Sequence, residues 1–393
     1  MNILEKAGLT EKERVLLKKV LRFSCLGCVI VVAGAWGIRK LLNAQQASSD
    51  NLPVLMNLAT GKGDLLPVDL EAHQIAAELY IKTDRPEKSI EHLQRIVAFK
   101  RNDRRILFQL ATATLESRQY QSAVQLFQKL LESGETDSLS LSIHARYGLC
   151  LYYLGRIEES LAVLRQAFSL DATNPEVSCY LGQVLASQDV HSAEALRHLE
   201  DAVGWNKNFT EGWYQLGRYF MNLGEYEKAR IYLLRVLEIE PIHVKTHSRL
   251  GMVYYYLNQP AMAKQSYEMA LSLNPHDYNT HYNLGELYYS VYNDSMQAAV
   301  EFQSALKDNP DHIQANFKMG LICMGNTMAR EAVQYFTRVI TIDPYNTRAW
   351  LQLGSCYEQL GMNQQALQTY QRITSYDALN DVALHKIRIL TKG

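Results

Sequence analysis

The sequence has little glycine and proline, no excess of charge of either sign and no regular set of cysteines. Gly (21) and Pro (9) make up about 8% of the 393 residues, against roughly 12% in average proteins. This argues against collagen, low-complexity and turn-rich all-β folds. Lys and Arg (40) balance Asp and Glu (41), which removes the main electrostatic reason to expect a nucleic-acid binder. The hydrophobic fraction of 47% is enough to fill a core.

The six cysteines indicate neither a disulfide framework nor a zinc knuckle. Cys25 and Cys28 lie in an apolar N-terminal stretch, and no second CxxC follows them. The other four are scattered, and we expect them to be reduced, mostly buried thiols: Cys150, Cys179, Cys323 and Cys356.

Motifs for catalysis are also missing. The sequence has no Gly-rich phosphate loop, no HExxH and no GxSxG. We therefore predict a protein that is not an enzyme and that uses no cofactor or metal. A row of histidines at repeating positions leaves metal binding or pH sensing open, although copied polar turn residues explain it more simply: His243, His247, His276, His281 and His312.

One apolar stretch predicts a membrane anchor. Residues 23–38 carry no charge and are bounded by Arg22 and by Arg39. A spanning helix needs about 20 apolar residues, and the long side chains of the flanking arginines extend a slightly short span. We expect an uncleaved single-pass transmembrane helix. The alternative is a buried or amphipathic leader helix.

The basic residues around this stretch predict its orientation. Only Arg39 and Lys40 follow it closely, whereas six basic residues precede it: Lys6, Lys12, Arg14, Lys18, Lys19 and Arg22. The positive-inside rule then places the N-terminus in the cytoplasm and the rest outside. The alternative places the rest of the chain in the cytosol.

A repeat of 34 or 35 residues occupies most of the chain. Glycines recur at this spacing from Gly148 to Gly354, and prolines recur from Pro241 to Pro344. Each unit predicts two helices. The first carries Leu-Gly-x-x-Tyr, as at Gly354 and Tyr357. The second carries a small residue followed four positions later by a large one, as at Ala366 and Tyr370. Spacings of three and four place such residues on one helix face, where the large side chain fills the space beside the small one.

This pattern resembles the tetratricopeptide repeat (TPR) family, with the best match at Trp350, Leu353, Gly354, Tyr357 and Ala366. The resemblance implies an all-α, right-handed solenoid with a concave groove lined by the first helix of each repeat. We predict a basic segment at 1–22, a transmembrane helix at 23–38, a linker at 39–69 and a capping helix at 381–393. Between them we predict nine repeats: 70–103, 104–140, 141–174, 175–209, 210–243, 244–277, 278–312, 313–346 and 347–380.

The groove positions implied by the family geometry are rich in Tyr and Met, which are adaptable residues at protein interfaces. Some members of the family hold a C-terminal carboxylate with a clamp of Lys, Asn and Arg. Tyr214 and Arg218 stand where the clamp would begin, so we expect an apolar-aromatic protein segment as the ligand instead. The candidates are Tyr152, Tyr214, Arg218, Met221, Met252, Tyr255, Tyr282, Tyr289 and Phe317.

Together these features predict a membrane-anchored TPR scaffold. It would bind protein segments in its groove and organise a membrane-associated complex, on the extracytoplasmic side. We expect no nucleic-acid partner and no small-molecule substrate. The alternative function is a cytosol-facing adaptor or preprotein receptor that recruits cytosolic proteins.

Overall fold

A computed structural model describes residues 67–82, 84–100, 102–132 and 139–392. Within these ranges the chain forms 19 α-helices joined by turns, with no strand, as the all-α prediction requires. The helices are α1 (Pro67–Lys82), α2 (Pro86–Phe99), α3 (Arg104–Glu116), α4 (Tyr120–Glu132), α5 (Ser140–Tyr153), α6 (Ile157–Leu170), α7 (Pro175–Gln188), α8 (Ala193–Trp205), α9 (Thr210–Asn222), α10 (Tyr226–Ile239), α11 (Val244–Tyr256), α12 (Pro260–Leu273), α13 (Tyr278–Ser290), α14 (Ser295–Asp308), α15 (Ile313–Gly325), α16 (Ala329–Ile342), α17 (Thr347–Gln359), α18 (Asn363–Thr374) and α19 (Asp381–Lys392).

Helix α1 begins three residues before the predicted first repeat, inside the predicted linker. The division into nine repeats and a capping helix stays a prediction.

The predicted membrane localisation is corrected by the structure. Among the described residues, no helix combines the length and the apolar character needed to cross a membrane. The longest of them, α1, has 16 residues and spans about 24 Å, whereas the hydrocarbon core of a bilayer is about 30 Å thick. The prediction of a membrane protein with its repeats outside the cytoplasm is therefore wrong by this test. The predicted segments at 1–22 and 23–38, and most of the linker, lie outside the described residues.

The described chain forms two compact units. Unit 1 extends from α1 to Val253 and includes Ser272–Asn274. Unit 2 comprises Tyr254–Leu271 and the chain from Pro275 onward.

A small residue on the first helix of a pair faces a large residue on the second. A Cβ atom added to Gly354 would lie 2.5 Å from the ring of Tyr370, which is almost completely buried. The large side chain thus fills the space beside the glycine of the neighbouring helix, which allows the helix axes to come close. The same contact recurs in five other pairs: Gly148 with Leu164, Gly182 with Leu199, Gly217 with Leu233, Gly285 with Phe302, and Gly320 with Phe336.

Short polar side chains begin many of the first helices. The Asp103 carboxylate accepts hydrogen bonds from the N–H groups of Arg105 (3.1 Å) and Ile106 (3.2 Å) at the start of α3. These bonds satisfy N–H groups that have no partner inside a helix, which stabilises the helix start by about 1 kcal/mol. Equivalent side-chain caps occur at Asn174, Asp277, His312 and Asn346.

In five successive pairs, from α9 to α18, one side chain near the start of the first helix donates to the turn before it. The indole N–H of Trp350 donates to the carbonyl of Pro344 at 2.9 Å, six residues earlier. His281 donates through Nε2 to the carbonyl of Pro275 at 3.1 Å, since a carbonyl oxygen only accepts. Three further side chains form the same contact: Trp213 with Lys207, His247 with Pro241, and Asn316 with Pro310. Two histidines of the predicted row therefore have a structural role.

The four cysteines of the described residues are free and buried, as predicted. Burial raises the pKa of Cys150 to about 12 and, with help from Cys323, that of Cys356 to about 11. These thiols therefore stay protonated at neutral pH and react slowly.

We expect Gly354→Ala to destabilise the chain by about 1–3 kcal/mol, because the new methyl group must displace the buried ring of Tyr370. Urea unfolding followed by circular dichroism measures this loss. Gly325→Ala is the matched control, because an added Cβ atom there has no neighbour within 4 Å. Equal unfolding midpoints for the two variants would contradict the close contact.

The His281 side chain predicts a pH dependence. Burial opposes its charge, but Glu301 at 2.7 Å from Nδ1 and the Pro275 carbonyl outweigh burial and raise the pKa of His281. Because the pKa of His281 is higher in the folded than in the unfolded chain, its protonation stabilises the folded state. This stabilisation is fully present below the pKa of the unfolded chain, and it is lost as pH rises through the pKa of the folded chain. We expect stability to fall by on the order of 1 kcal/mol between pH 6 and pH 8.5 from this group.

Urea midpoints at the two pH values, compared with those of His281→Asn, isolate the effect. Asparagine keeps the donor to Pro275, as Asn316 does at the equivalent position, but it does not titrate. The same pH dependence in both proteins would rule out His281 as its source.

The cysteines provide a third test. We expect the variant with Cys25→Ser and Cys28→Ser to show no fast-reacting thiol when folded and four when unfolded, in a titration with a chromogenic disulfide reagent. A thiol that reacts within seconds in the folded protein would show that one of the four is exposed.

Candidate protein-binding surface

In unit 1, side chains of the first helices α3, α5, α7, α9 and α11 meet on one face, called here the unit 1 inner face. Arg146 of α5 lies at its centre. Its guanidinium donates to Glu176 at 2.7 Å and to Thr112 at 3.2 Å, and it lies 5.2 Å from the centre of the Phe108 ring. Burial disfavours the charge, but the carboxylate of Glu176 outweighs burial and raises the pKa of Arg146. The guanidinium is therefore charged and already neutralised by the protein.

An ion-pair cluster joins the beginning and the end of unit 1. The Lys245 ammonium lies 2.5 Å from the Glu116 carboxylate and 3.3 Å from that of Asp84. The side chain of Asn274 also donates to the Asp84 carbonyl at 3.2 Å. These contacts link residues that are 129 and 190 positions apart in the chain. Unit 1 thus closes on itself, and its inner face borders a confined space.

The ionisation of this cluster follows from its pairing. Burial alone would raise the pKa of Glu116, but the Lys245 ammonium lowers it further than burial raises it. Burial together with the Lys245 charge lowers the pKa of the neighbouring His243 to about 4. At neutral pH the cluster therefore contains ionised Glu116 and Lys245 beside a neutral imidazole.

Five of the predicted groove residues belong to unit 1, where they mostly contact its own side chains. Tyr214 is only 7% exposed, and its ring centre lies 5.4 Å from that of His243. Arg218 donates to the Gln215 side chain at 3.1 Å. Tyr152 and Arg218 border a cavity of about 60 Å³, which has room for about two water molecules. Half-buried positions are also found for Met221 and Met252.

In unit 2, two predicted residues are half-buried tyrosines held by their neighbours. The Tyr282 ring centre lies 4.8 Å from that of His312 and 5.7 Å from that of Phe302. Burial and the nearby Glu286 carboxylate raise the pKa of Tyr282 to about 12, so its hydroxyl remains a neutral donor. The hydroxyl of Tyr255 lies 3.4 Å from that of Ser290.

The other two predicted residues of unit 2 lie beside cations. Phe317 packs edge-on against Phe336, and the Arg348 guanidinium lies 5.0 Å from the centre of its ring. The Lys318 ammonium is 4.7 Å from the ring centre of Tyr289. We call Tyr255, Tyr282, Tyr289, Phe317, Lys318 and Arg348 the unit 2 aromatic surface. Its assignment to partner binding stays a prediction.

The sequence analysis missed the two cations of this surface. Lys318 follows Tyr289 by 29 residues, and Arg348 follows Phe317 by 31 residues. These separations are slightly shorter than the repeat, so each cation lies about one helical turn before the equivalent position on the next first helix. A Lys or Arg that follows an aromatic groove residue by about 30 residues is the sequence signal that could have predicted these two cations.

The two cations differ in their partners. Lys318 pairs with Glu286 at 2.8 Å. Arg348 is exposed and has no ion-pair partner among the described residues. Its guanidinium is therefore available to an acidic group of a ligand.

No group of three or more His, Cys, Asp or Glu side chains in the described part of the chain is arranged to hold a metal ion.

Comparison with known proteins identifies the repeats. Family models of the tetratricopeptide repeat match residues 210–243, 244–277 and 324–388, and a TPR repeat model matches residues 148–189. Human protein O-mannosyl-transferase TMTC3 is 24% identical over 200 residues, which are 47% of this chain and 22% of that protein. The protein CTR9 homolog of Arabidopsis thaliana is 22% identical over 266 residues, which are 66% of this chain and 21% of that protein. The chain thus spans about a fifth of the length of these curated relatives.

A solved structure, that of the APC/C hetero-tetramer Cut9–Hcn1, has a similar fold. The two share a TM-score of 0.60 at 14% identity, over 81% of this chain and 63% of that chain. At this identity the likeness concerns the fold alone. Taken with the family matches, it shows that the chain is an all-α helical-repeat protein that contains tetratricopeptide repeats.

Proposed function

We propose that this chain is a TPR scaffold that binds a segment of a partner protein on the unit 2 aromatic surface. The observation that carries the proposal is a set of half-buried rings from successive first helices, each held in place by its own neighbours. Tyr282 rests against His312, and Phe317 rests against Phe336. Rings that are already ordered lose little conformational entropy when a ligand covers them, which favours binding.

The charges on this surface indicate which kind of partner segment would bind there. Arg348 lies beside Phe317 and has no acidic partner in the described part of the chain. A segment with large apolar side chains next to an Asp or Glu would cover the rings and pair with this guanidinium. This refines the apolar-aromatic ligand expected from the sequence.

The relatives support a role in assemblies without naming a partner. The Cut9–Hcn1 structure is a hetero-tetramer. The match to an O-mannosyl-transferase covers 22% of that protein, so we do not extend transferase activity to this chain.

A peptide selection tests the proposal. Peptides would be selected on the full chain from a random displayed library, and their affinities measured by fluorescence anisotropy. We expect the double variant Tyr282→Ala, Phe317→Ala to bind them at least tenfold more weakly, because two ordered apolar contacts are lost. We expect Arg348→Gln to weaken peptides that contain an acidic residue, with a smaller effect at high salt.

The control is Met296→Ala, which shortens a side chain that is 78% exposed and lies outside the surface. Circular dichroism and thermal unfolding would show that each variant is folded. Unchanged affinity in the folded double variant would contradict the proposed surface.

A further inference from the structure

The closure of unit 1 is held by a small group of charged and polar side chains. The ammonium of Lys245, at the start of α11, lies 3.3 Å from the carboxylate of Asp84 in the turn between α1 and α2. It also lies 2.5 Å from the carboxylate of Glu116 at the end of α3. Asn274, which follows α12, donates to the Asp84 carbonyl at 3.2 Å. We call these four residues the closure cluster.

The closure cluster differs from other ion pairs of unit 1 in the length of chain that it spans. Arg156 with Glu159, and Lys228 with Glu225, join residues three positions apart. The contacts of the closure cluster join residues that are 129 and 190 positions apart. In a helical-repeat protein, each pair of helices is stabilised by contacts with its neighbours along the chain. Those contacts do not require the closure cluster, so they persist when it separates.

The side chains of the closure cluster are also close to solvent. Lys245 is 40% exposed, Glu116 is 37% exposed and Asp84 is 26% exposed. Ion pairs with such exposure contribute little to stability and are weakened by salt. The pair of Arg146 and Glu176 on the inner face is less exposed, at 23% and 11%. Separation of the closure cluster therefore moves charges into water without disturbing this deeper pair.

The closure cluster borders the part of the inner face that α9 contributes. Tyr214 of α9 is buried, and both Tyr214 and Glu211 interact electrostatically with Lys245. Burial raises the pKa of the Glu211 carboxyl, although Gln215 donates to it at 2.6 Å. A carboxyl group whose neutral form is favoured by burial has poor access to water. The closed conformation therefore shields this part of the inner face.

We propose that the closure cluster is an autoinhibitory latch. Unit 1 exchanges between a closed conformation, in which the cluster is paired, and an open conformation, in which the α1–α2 turn and the end of α3 move away from the start of α11. The contacts between neighbouring helix pairs are kept in both. The inner face around Glu211 and Tyr214 is accessible in the open conformation alone. The latch lies within unit 1, so it does not depend on the function proposed above.

Single-molecule energy transfer on the full chain tests the latch. The two dyes are attached at Gln94→Cys of α2 and Glu238→Cys of α10, both exposed, in the variant with Cys25→Ser and Cys28→Ser. The remaining native thiols are buried and stay unlabelled. We expect a low-transfer, open population that grows as KCl rises from about 0.05 M to about 1 M. Lys245→Met should raise the open-to-closed ratio about tenfold at low salt and remove its salt dependence, whereas Lys245→Arg should stay closed.

A matched control is Lys228→Met. It removes a lysine that pairs with Glu225 at 2.5 Å, three residues away, and it should leave the open-to-closed ratio unchanged. Glu116→Gln removes the other partner of Lys245 and should open unit 1 as Lys245→Met does. Circular dichroism would show that each variant is folded. An unchanged ratio in the folded Lys245→Met and Glu116→Gln variants, or an equal rise in Lys228→Met, would overturn the latch.

A second measurement tests whether the latch controls access to the inner face. Glu211→Cys places a thiol on this face, and its rate of reaction with a chromogenic disulfide reagent reports how often the face is open. We expect Lys245→Met to raise this rate by the same factor as the open-to-closed ratio. Equal rates with Lys245 and with Met at this position would show that the face is accessible in the closed conformation, and the autoinhibitory role would be wrong.

Discussion

The close approach of the two helices within a pair depends on a missing side chain. A glycine of the first helix, such as Gly320 or Gly354, leaves the space that Phe336 or Tyr370 fills from the second. This contact sets the distance between the helices of a pair. A side chain near the start of the next first helix, such as Trp350, donates to a carbonyl of the turn before it and so fixes that turn between successive pairs. Because both contacts join residues that are close together in the chain, a local pattern repeated along the chain is sufficient to build the fold.

The same locality explains what could be predicted. The glycines of the first helices were visible because they recur every 34 or 35 residues, and the large residues of the second helices were visible at a spacing of four from a small one. The structural role of His247 and His281 follows from their equivalence with Trp213 and Trp350. The closure of unit 1 was not visible, because Lys245 and Glu116 are 129 residues apart and neither belongs to the repeat pattern. A local pattern predicts neighbours along the chain, but it does not predict how tightly successive pairs curve.

This curvature changes what the groove candidates do. The family geometry treats Tyr214 and Arg218 as open positions, but in the closed unit 1 they contact His243 and Gln215. Paired charges such as Arg146 with Glu176 fill much of the same face. A fully paired buried network is costly to break, so it favours a rigid wall over an adaptable one. The aromatic candidates Tyr282 and Phe317 keep half-exposed rings, whereas Tyr214 is buried. Sequence position alone could not predict this difference in exposure.

The accessible polar atoms that remain without partners then carry most of the information about ligands. In unit 1 the cations of the inner face are paired, as Arg146 is with Glu176 and Lys245 is with Glu116. Several buried polar atoms of that unit have no hydrogen-bond partner, among them Ser89 Oγ, Gln109 Oε1, Ser178 Oγ and Gln183 Oε1, but these atoms have almost no accessible surface for a ligand to reach. In unit 2 the guanidinium of Arg348 is exposed and has no ion-pair partner among the described residues. An acidic side chain of a protein ligand could pair with it without breaking an existing ion pair.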